Sequence, residues 1–248
     1  MKEKSPKTRL DVLLVDRGLA ASRERARALI LAGVVLVNEE PVDKAGALIA
    51  GGAEVRLRGG DHPYVSRGGV KLKGALDTFG IRVEGFSALD VGASTGGFTD
   101  CLLQAGARKV YAVDVGYGQL AWKLQNDPRV VLFERTNIRR FQGVGVEEPV
   151  DIATIDTSFI SLKHVIPPAL NFLKEGGIVL ALVKPQFEVG KGEVGKKGVV
   201  RDPEAHRRVV EDLSAFCTSL GLTVRGTCES PITGPEGNRE FFIYAAKE

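Results

Sequence analysis

The 248-residue chain is short of several things, and each shortage removes a class of protein. It has three cysteines, Cys101, Cys217 and Cys228, an odd number with no metal-ligand spacing. That excludes a disulfide framework and a cysteine metal site, and leaves reduced, buried thiols of the kind a cytoplasmic protein keeps. No run approaches the ~18 consecutive apolar residues that would span a membrane. The opening M-K-E-K-S-P-K-T-R-L carries charge but no apolar stretch behind it, so no secretory signal is read there. A hydrophobic share of 44% describes an ordinary globular protein, long enough for one large domain and a small one.

The net charge of +3 is modest, but its distribution is not even. Met1 to Gly74 holds 14 Lys+Arg against 9 Asp+Glu, whereas the remainder holds 20 against 22. A basic first third followed by a near-neutral body suggests a polyanion-binding module appended to another domain. Within that third, Leu10, Leu13 and Leu14 lie at helical spacing and Gly18 stops the helix. Ser22 is placed as an N-cap for a second helix through Ala26, Leu29 and Ile30, which ends at Gly33. Short β-like runs follow at Val34–Val37 and Glu54–Leu57. Arg9, Arg23, Arg25 and Arg27 gather at the helix termini, and Arg9, Ser22, Arg23, Arg27 and Arg67 are the candidate RNA contacts. Residues 61–65, rich in turn formers, are read as a linker between a module over 1–60 and a domain over 66–248.

The larger domain is organised around Ser87 to Leu120. A short apolar strand ends in a turn containing Gly92, Gly96 and Gly97, a helix opens near Phe98, and a strand over Lys109–Val113 closes on Asp114. This is a βαβ unit with glycines where backbone must approach a ligand. An acid about 20 residues beyond the first glycine is placed to accept hydrogen bonds from a ribose diol, and Asp114 stands there. The dinucleotide fingerprint G-x-G-x-x-G is absent, since Ala93, Ser94 and Thr95 separate Gly92 from Gly96. Asp90 lies at the strand end, where it would repel a pyrophosphate and suit a cationic cofactor. The pattern therefore favours S-adenosylmethionine over NAD, with Asp90, Gly92, Ser94, Gly96, Gly97, Phe98 and Asp114 as its candidate contacts.

Further along, the stretch from Gly116 to Gln125 reads as a helix, with Leu120, Trp122 and Leu124 on its apolar side. Strands are expected at Arg129–Phe133, Val150–Ile155 and Gly177–Val183, and terminal ones at Thr223–Thr227 and Glu240–Ala246. Asn137 lies on the loop expected to pass over an adenine. Strand ends of an open parallel sheet face the ligand crevice, which places Asp156 and Lys184 where cofactor and substrate meet. Gly190 to Lys196 imitates a phosphate loop, but Lys197 replaces the hydroxyl that should bind magnesium and no helix opens there. That glycine- and lysine-rich segment reads better as a mobile basic lid. Asp202 and Pro203 then cap and start a helix that runs to Gly221.

Lys71, Asp156, Lys184 and Glu240 make a set with chemical logic. A ribose 2′-hydroxyl is a poor nucleophile and needs a nearby base as it attacks a methyl group. A lysine serves when a second ammonium and partial burial lower its pKa, and the carboxylates position it. Other methyl-transfer chemistries lack their signatures. No cysteine stands in the Pro-Cys context of a cytosine C5 nucleophile, and Asp156-Thr-Ser-Phe stands where an amine methyltransferase would show Asn/Asp-Pro-Pro-aromatic.

The pattern R-L-D…G…S-R…A…I…G-x-V-x-V-N over Arg9 to about Arg58 resembles the RNA-binding domain of ribosomal protein S-four. The motifs V-S-R-G-G-V-K-L (Val65–Leu72), D-V-G-A-S-T-G-G-F-T (Asp90–Thr99), D-V-G-Y-G-Q-L-A-W (Asp114–Trp122), D-T-S-F-I-S-L (Asp156–Leu162), V-K-P-Q-F-E-V-G-K-G (Val183–Gly192) and G-N-R-E-F-F (Gly237–Phe242) resemble the TlyA family. The resemblance covers nearly the whole chain. It implies an α/β, Rossmann-like class I S-adenosylmethionine-dependent methyltransferase domain of the FtsJ type behind a small α+β RNA-binding domain. It implies methylation of cytidine 2′-hydroxyls in ribosomal RNA, of the large subunit alone or of both subunits, with no metal and no membrane. Lys71, Asp156, Lys184 and Glu240 match the family's tetrad, with Lys184 as the base. The chain stops soon after its last expected strand, without the C-terminal extension of longer members, which weighs against small-subunit RNA. The family's historical haemolysin label finds no spanning helix or strong amphipathic repeat here. A non-catalytic RNA-binding protein would be expected to have lost part of the tetrad.

Overall fold

The computed structural model describes residues 7–31, 33–57, 62–190, 192–195 and 198–248. It divides into two units, Met1–Pro63 and Tyr64–Glu248.

In the first unit β1 (Lys7–Arg9) leads into α1 (Leu10–Asp16), and α2 (Arg23–Leu31) packs beside it. Leu10, Leu14, Ala26 and Ile30, spaced three or four apart within each helix, are fully buried against Val35. Ser22 Oγ accepts the Arg25 N–H, the expected capping bond. Gly18 and Gly33 close the two helices at φ +67° and +66°, a region where a Cβ is penalised. β2 (Val35–Val37) lies between β3 (Glu40–Pro41) and β5 (Val55–Leu57), and β4 (Leu48–Ala50) pairs with β1. The pairs β1–β4 and β2–β3 were not anticipated, because two or three residues leave no readable alternation.

The second unit begins with α3 (Gly68–Phe79), β6 (Ser87–Val91), α4 (Gly97–Gln104), β7 (Lys109–Val113), α5 (Trp122–Gln125) and β8 (Val130–Phe133). It continues with β9 (Val150–Ile155), α6 (Ile166–Leu170), β10 (Leu173–Val183), α7 (Pro203–Ser219), β11 (Leu222–Glu229) and β12 (Phe241–Lys247). One seven-stranded sheet has the order β11-β12-β10-β9-β6-β7-β8. The five strands from β10 to β8 are parallel, and β12 runs antiparallel between β10 and β11. Apolar clusters cover both faces, one around Tyr111, Ile155 and Leu213, the other around Leu72, Leu102 and Phe242. This is the expected doubly covered α/β fold. The strand order reverses between β6 and β9, which sets the ligand crevice outside their carboxyl ends.

Four expectations need correcting. The helix read over Gly116–Gln125 is confined to Trp122–Gln125, and Trp122 is 76% exposed. Carboxylates outcompete the helix ladder, since the Gly116 N–H donates to Asp114 and the Gly118 N–H to Glu134. β10 begins at Leu173, with an irregular register before Ile178 and Gly176 at φ +73°. Tyr64 and Val65, read as linker, are packed into the second unit. The Tyr64 ring lies where a Cβ on Gly69 would fall 2.2 Å from it, and the Val65 N–H donates to Asp100 at 2.7 Å. Residues 58–61 lie outside the described residues. So do Lys196 and Lys197 of the supposed lid, but the end of that segment is held down: Val199 and Val200 are buried. Among the described residues no helix is long and apolar enough to cross a membrane.

Candidate active site

A cleft of about 490 Å³ opens at the carboxyl ends of β6, β7 and β9. Its floor is the turn after β6. Gly92 holds φ +87°, its N–H donates to Val113 O, and a Cβ there would lie 2.4 Å from Asp156 O. Only glycine lets this turn pass between two strand ends. Asp114 caps the turn from the side: Ser94 N–H donates to Oδ2 at 2.7 Å and Gly116 N–H to Oδ1 at 2.6 Å. Each oxygen keeps a lone pair for a further donor, so a diol can be accepted without breaking either bond. Asn137 borders the cleft across from Asp114, and its Oδ1 accepts the Arg139 N–H. Val113, Val115 and Ile138 supply apolar walls.

Asp90, Gly96, Gly97 and Phe98, read as cofactor contacts, do not line this cleft. Asp90 is wholly buried, accepting from Thr99 Oγ1 at 2.6 Å and Thr154 Oγ1 at 3.2 Å. Burial pushes its carboxyl up to about 7, and the two hydroxyls pull in the other direction. It ties α4 to β9. Gly96, at φ +96°, makes room for Leu124 and Leu120, while a Cβ on Gly97 would lie 2.3 Å from Ser66 Oγ. The Phe98 ring packs 6.1 Å from Phe242 in the core. These glycines and Phe98 serve the seating of the loop and of α4 against α3. The pattern of the motif conveyed that glycine was needed, not whether a ligand or a neighbouring helix required it.

The four ionisable residues stand in two pairs along one edge of the sheet. Lys184, just past β10, places Nζ 2.6 Å from Asp156 Oδ1 and donates to Ser158 Oγ at 3.0 Å. Lys71, buried on α3, places Nζ 2.5 Å from Glu240 Oε2. The ladder pairs Val183 with Phe241, so Lys184 and Glu240 follow at neighbouring positions at its end. Asp156 also borders the cleft, which joins the ion pairs to the candidate cofactor site.

Three residues beside the cleft were missed. Ser158 is the hydroxyl partner of Lys184. Thr157 Oγ1 is buried on the cleft wall with no hydrogen-bond partner, a polar atom set for a ligand. Phe159 is 90% exposed, carries φ +63° and packs 5.0 Å from the Phe187 ring. A bulky side chain at positive φ is strained, and such strain concentrates at functional sites. The run T-S-F directly after a strand end was the available signal.

In the first unit, Arg9, Arg23 and Arg27 surround a single carboxylate. Asp11 is fully buried and receives Arg9 Nε at 2.9 Å, Arg23 Nη2 at 3.0 Å and Arg27 Nε at 3.3 Å. The Arg9 guanidinium, then Arg23 and Arg27, hold its carboxyl well below the usual range against the opposing effect of burial. Ser22 is occupied in capping α2. Arg67, at the entry to α3, donates to Thr233 O at 3.1 Å.

An open sheet with a crevice at its switch point, an acid at the end of the second strand of the βαβ unit and no pyrophosphate fingerprint fit the class I methyltransferase architecture. The comparisons with known proteins agree. Residues 64–247 match the FtsJ-like methyltransferase family, and residues 8–55 match the S4 domain. YqxC of Bacillus subtilis is 49% identical over 241 residues, covering 97% of this chain and 86% of that protein. The 16S/23S rRNA (cytidine-2'-O)-methyltransferase TlyA of Mycobacterium tuberculosis is 46% identical over 239 residues, covering 96% and 89%. A hemolysin-named structure from Streptococcus thermophilus superposes with a TM-score of 0.77 at 46% identity, covering 98% of this chain and 89% of that one. The chain belongs to the TlyA family of FtsJ-like methyltransferases. The fold therefore has the capacity to bind S-adenosylmethionine, and the cleft fits it: its volume, the lone pairs of Asp114, the apolar walls and the unpartnered Thr157 hydroxyl suit a nucleoside with a polar tail.

Proposed function

We propose that this protein methylates the 2′-hydroxyl of a cytidine in ribosomal RNA, with Lys184 as the base. The observation that carries this reading is the Lys184–Asp156 pair at the rim of the cleft, 2.6 Å apart, where a proton acceptor for a hydroxyl is required. When bound, S-adenosylmethionine supplies an electrophilic methyl group. Asp114 and Asn137 would hold its nucleoside, with Gly92 and Ser94 beneath it. Once Nζ has given up its own proton to solvent, Lys184 as the neutral amine accepts the hydroxyl proton, and Asp156 and Ser158 hold the ammonium that re-forms in place. Lys71 and Glu240 complete the acceptor side of the site, and Phe159 offers an exposed ring on which a base lifted from its stack can rest. The ring and the adjoining ion pairs suit a nucleotide substrate better than a small amine.

RNA is held in this reading by Arg9, Arg23 and Arg27. Three guanidiniums on one carboxylate leave an excess of positive charge in fixed positions, suited to phosphates. The activity of the Mycobacterium tuberculosis relative, a 16S/23S rRNA (cytidine-2'-O)-methyltransferase by name, supports ribosomal RNA as that partner and cytidine as the target. Tritiated methyl transfer to separated, unmodified ribosomal subunits tests the proposal. Label should reside in a cytidine dinucleotide that resists alkaline hydrolysis, because a 2′-O-methyl group removes the internal nucleophile. Label in alkali-labile nucleotides would exclude ribose chemistry.

A further inference from the structure

The turn that precedes Glu240 holds an arrangement that the catalytic reading leaves unexplained. Gly234 does not need glycine for its own conformation, since its φ lies outside the left-handed region. Yet a Cβ there would lie 2.7 Å from Glu240 Oε1. The missing methyl group is the space that the Glu240 carboxylate occupies while its other oxygen receives Lys71 Nζ at 2.5 Å. Gly234 in turn is fixed by Asn238, whose backbone carbonyl accepts the Gly234 N–H at 2.8 Å.

Asn238 is 3% exposed and uses both ends of its amide. Its Oδ1 accepts the Val200 N–H at 3.0 Å and its Nδ2 donates to Gly198 O at 3.0 Å. Val200 O is in turn 2.9 Å from the Nε2 of the buried His206 on α7. A continuous set of hydrogen bonds therefore runs from α7 through Val200 and Asn238 to the turn that confines the Glu240 carboxylate.

We propose that Gly234 and Asn238 are positioning residues for the Lys71–Glu240 pair, Gly234 by leaving room for the carboxylate and Asn238 by clamping the turn to residues 198–200. The proposal rests on the reading of Glu240 as part of the methyl-transfer site for its consequence in rate, but not for its geometry. Two measurements on the full-length protein separate these. In the first, lysines of the wild type and of Gly234→Ala are acetylated briefly with acetic anhydride and quantified by mass spectrometry. Lys71 labelling should rise several-fold as the pair loosens, while Lys73, exposed on the same helix, stays unchanged as the internal control. Unchanged Lys71 labelling in a folded variant would overturn the proposal whatever the protein's activity.

The second measurement is a double-mutant cycle on single-turnover methyl transfer to unmodified ribosomal subunits. Gly234→Ala should slow transfer at least about tenfold, as sub-ångström displacement of a catalytic group does, with cofactor and RNA affinities held within about twofold. In a Glu240→Ala background the same substitution should cost nothing further. An equal loss in both backgrounds would assign Gly234 a role unrelated to Glu240. Asn238→Ala, run through the same cycle and the same labelling, decides the matter if Gly234→Ala fails to fold. A wild type that labels as expected but transfers no methyl to RNA would overturn the functional reading alone.

Discussion

Two carboxylates, one in each unit, are equally withdrawn from water and have opposite fates. Asp11 and Asp90 are both fully buried. Asp11 meets three guanidiniums and is held well below the usual carboxylate range. Asp90 meets no cation, only the hydroxyls of Thr99 and Thr154 and the Thr99 backbone, and burial pushes it up to about 7. Surroundings and partners together decide the charge: Asp11 is covered chiefly by its own half-exposed arginines, Asp90 by the packed core. The consequence for function follows. A carboxylate outnumbered by arginines builds a charged surface, each guanidinium about half exposed. A carboxyl without a cation acts as an internal tie between α4 and β9. Between these extremes stand Lys184–Asp156 and Lys71–Glu240, one ammonium to each carboxylate, at the end of the β10–β12 ladder.

The comparison is broken most severely at the balanced pairs. Lys184→Ala should lower single-turnover methyl transfer by roughly 10²–10⁴-fold while leaving calorimetric binding of S-adenosylmethionine intact. A modest rate loss would move the base elsewhere. Asp11→Asn tests the outnumbered carboxylate. A plain count of charge predicts tighter RNA binding, whereas preorganisation predicts weaker binding, because the arginines lose their anchor. We expect weaker filter binding together with a melting temperature lower by about 2–4 °C. Arg23→Ala should act more gently, flattening the dependence of log K on log salt by about 0.7–0.9 without changing the rate at saturating RNA.

The last comparison concerns Asp90, through stability and not through methyl transfer or RNA binding. Its folded pKa is raised, so its contribution to stability is fully present below the unfolded value near 3.9 and is lost as pH rises through about 7. Asp90→Asn should therefore gain stability relative to wild type between about pH 4 and 7, and level off above. Parallel urea titrations at pH 5 and pH 8 read this difference, and an advantage that shrinks with rising pH would contradict the uncompensated burial of Asp90.

The α/β body was legible because its signals are local. Val150–Ile155 is a short run dominated by Val, Ile and Ala that ends at an acid, and the strand over Lys109–Val113 ends at the acid that lines the cleft. The helix from Pro203 was announced by its Asp202 cap, whose Oδ1 accepts the Glu204 N–H. The failures were equally physical. Gly116–Gln125 had helical spacing, but Asp114 and Glu134 captured its amide hydrogens from outside the segment. Gly97 resembled a ligand glycine, yet what presses on it is Ser66. Asp90 sat at a strand end like Asp156, but α4 and Thr154 closed over it.

By itself the sequence determined the candidates for chemistry, the strand-end acids, the lysines, the glycine turn and the arginines of the first module, without separating those that line the cleft from those, such as Asp90 and Gly97, that pack the fold. Those follow from residue type and near-neighbour spacing. Only the tertiary structure decided who pairs with whom. Lys71 and Glu240 are separated by 169 positions and meet because α3 packs against β11, the neighbour of the strand that follows Glu240. Likewise Asp11, not a phosphate, is the fixed partner that gathers Arg9, Arg23 and Arg27. Charge and hydrogen-bonding capacity are properties of the residue, but their balance depends on distance and on exclusion of water, which the folded chain alone sets.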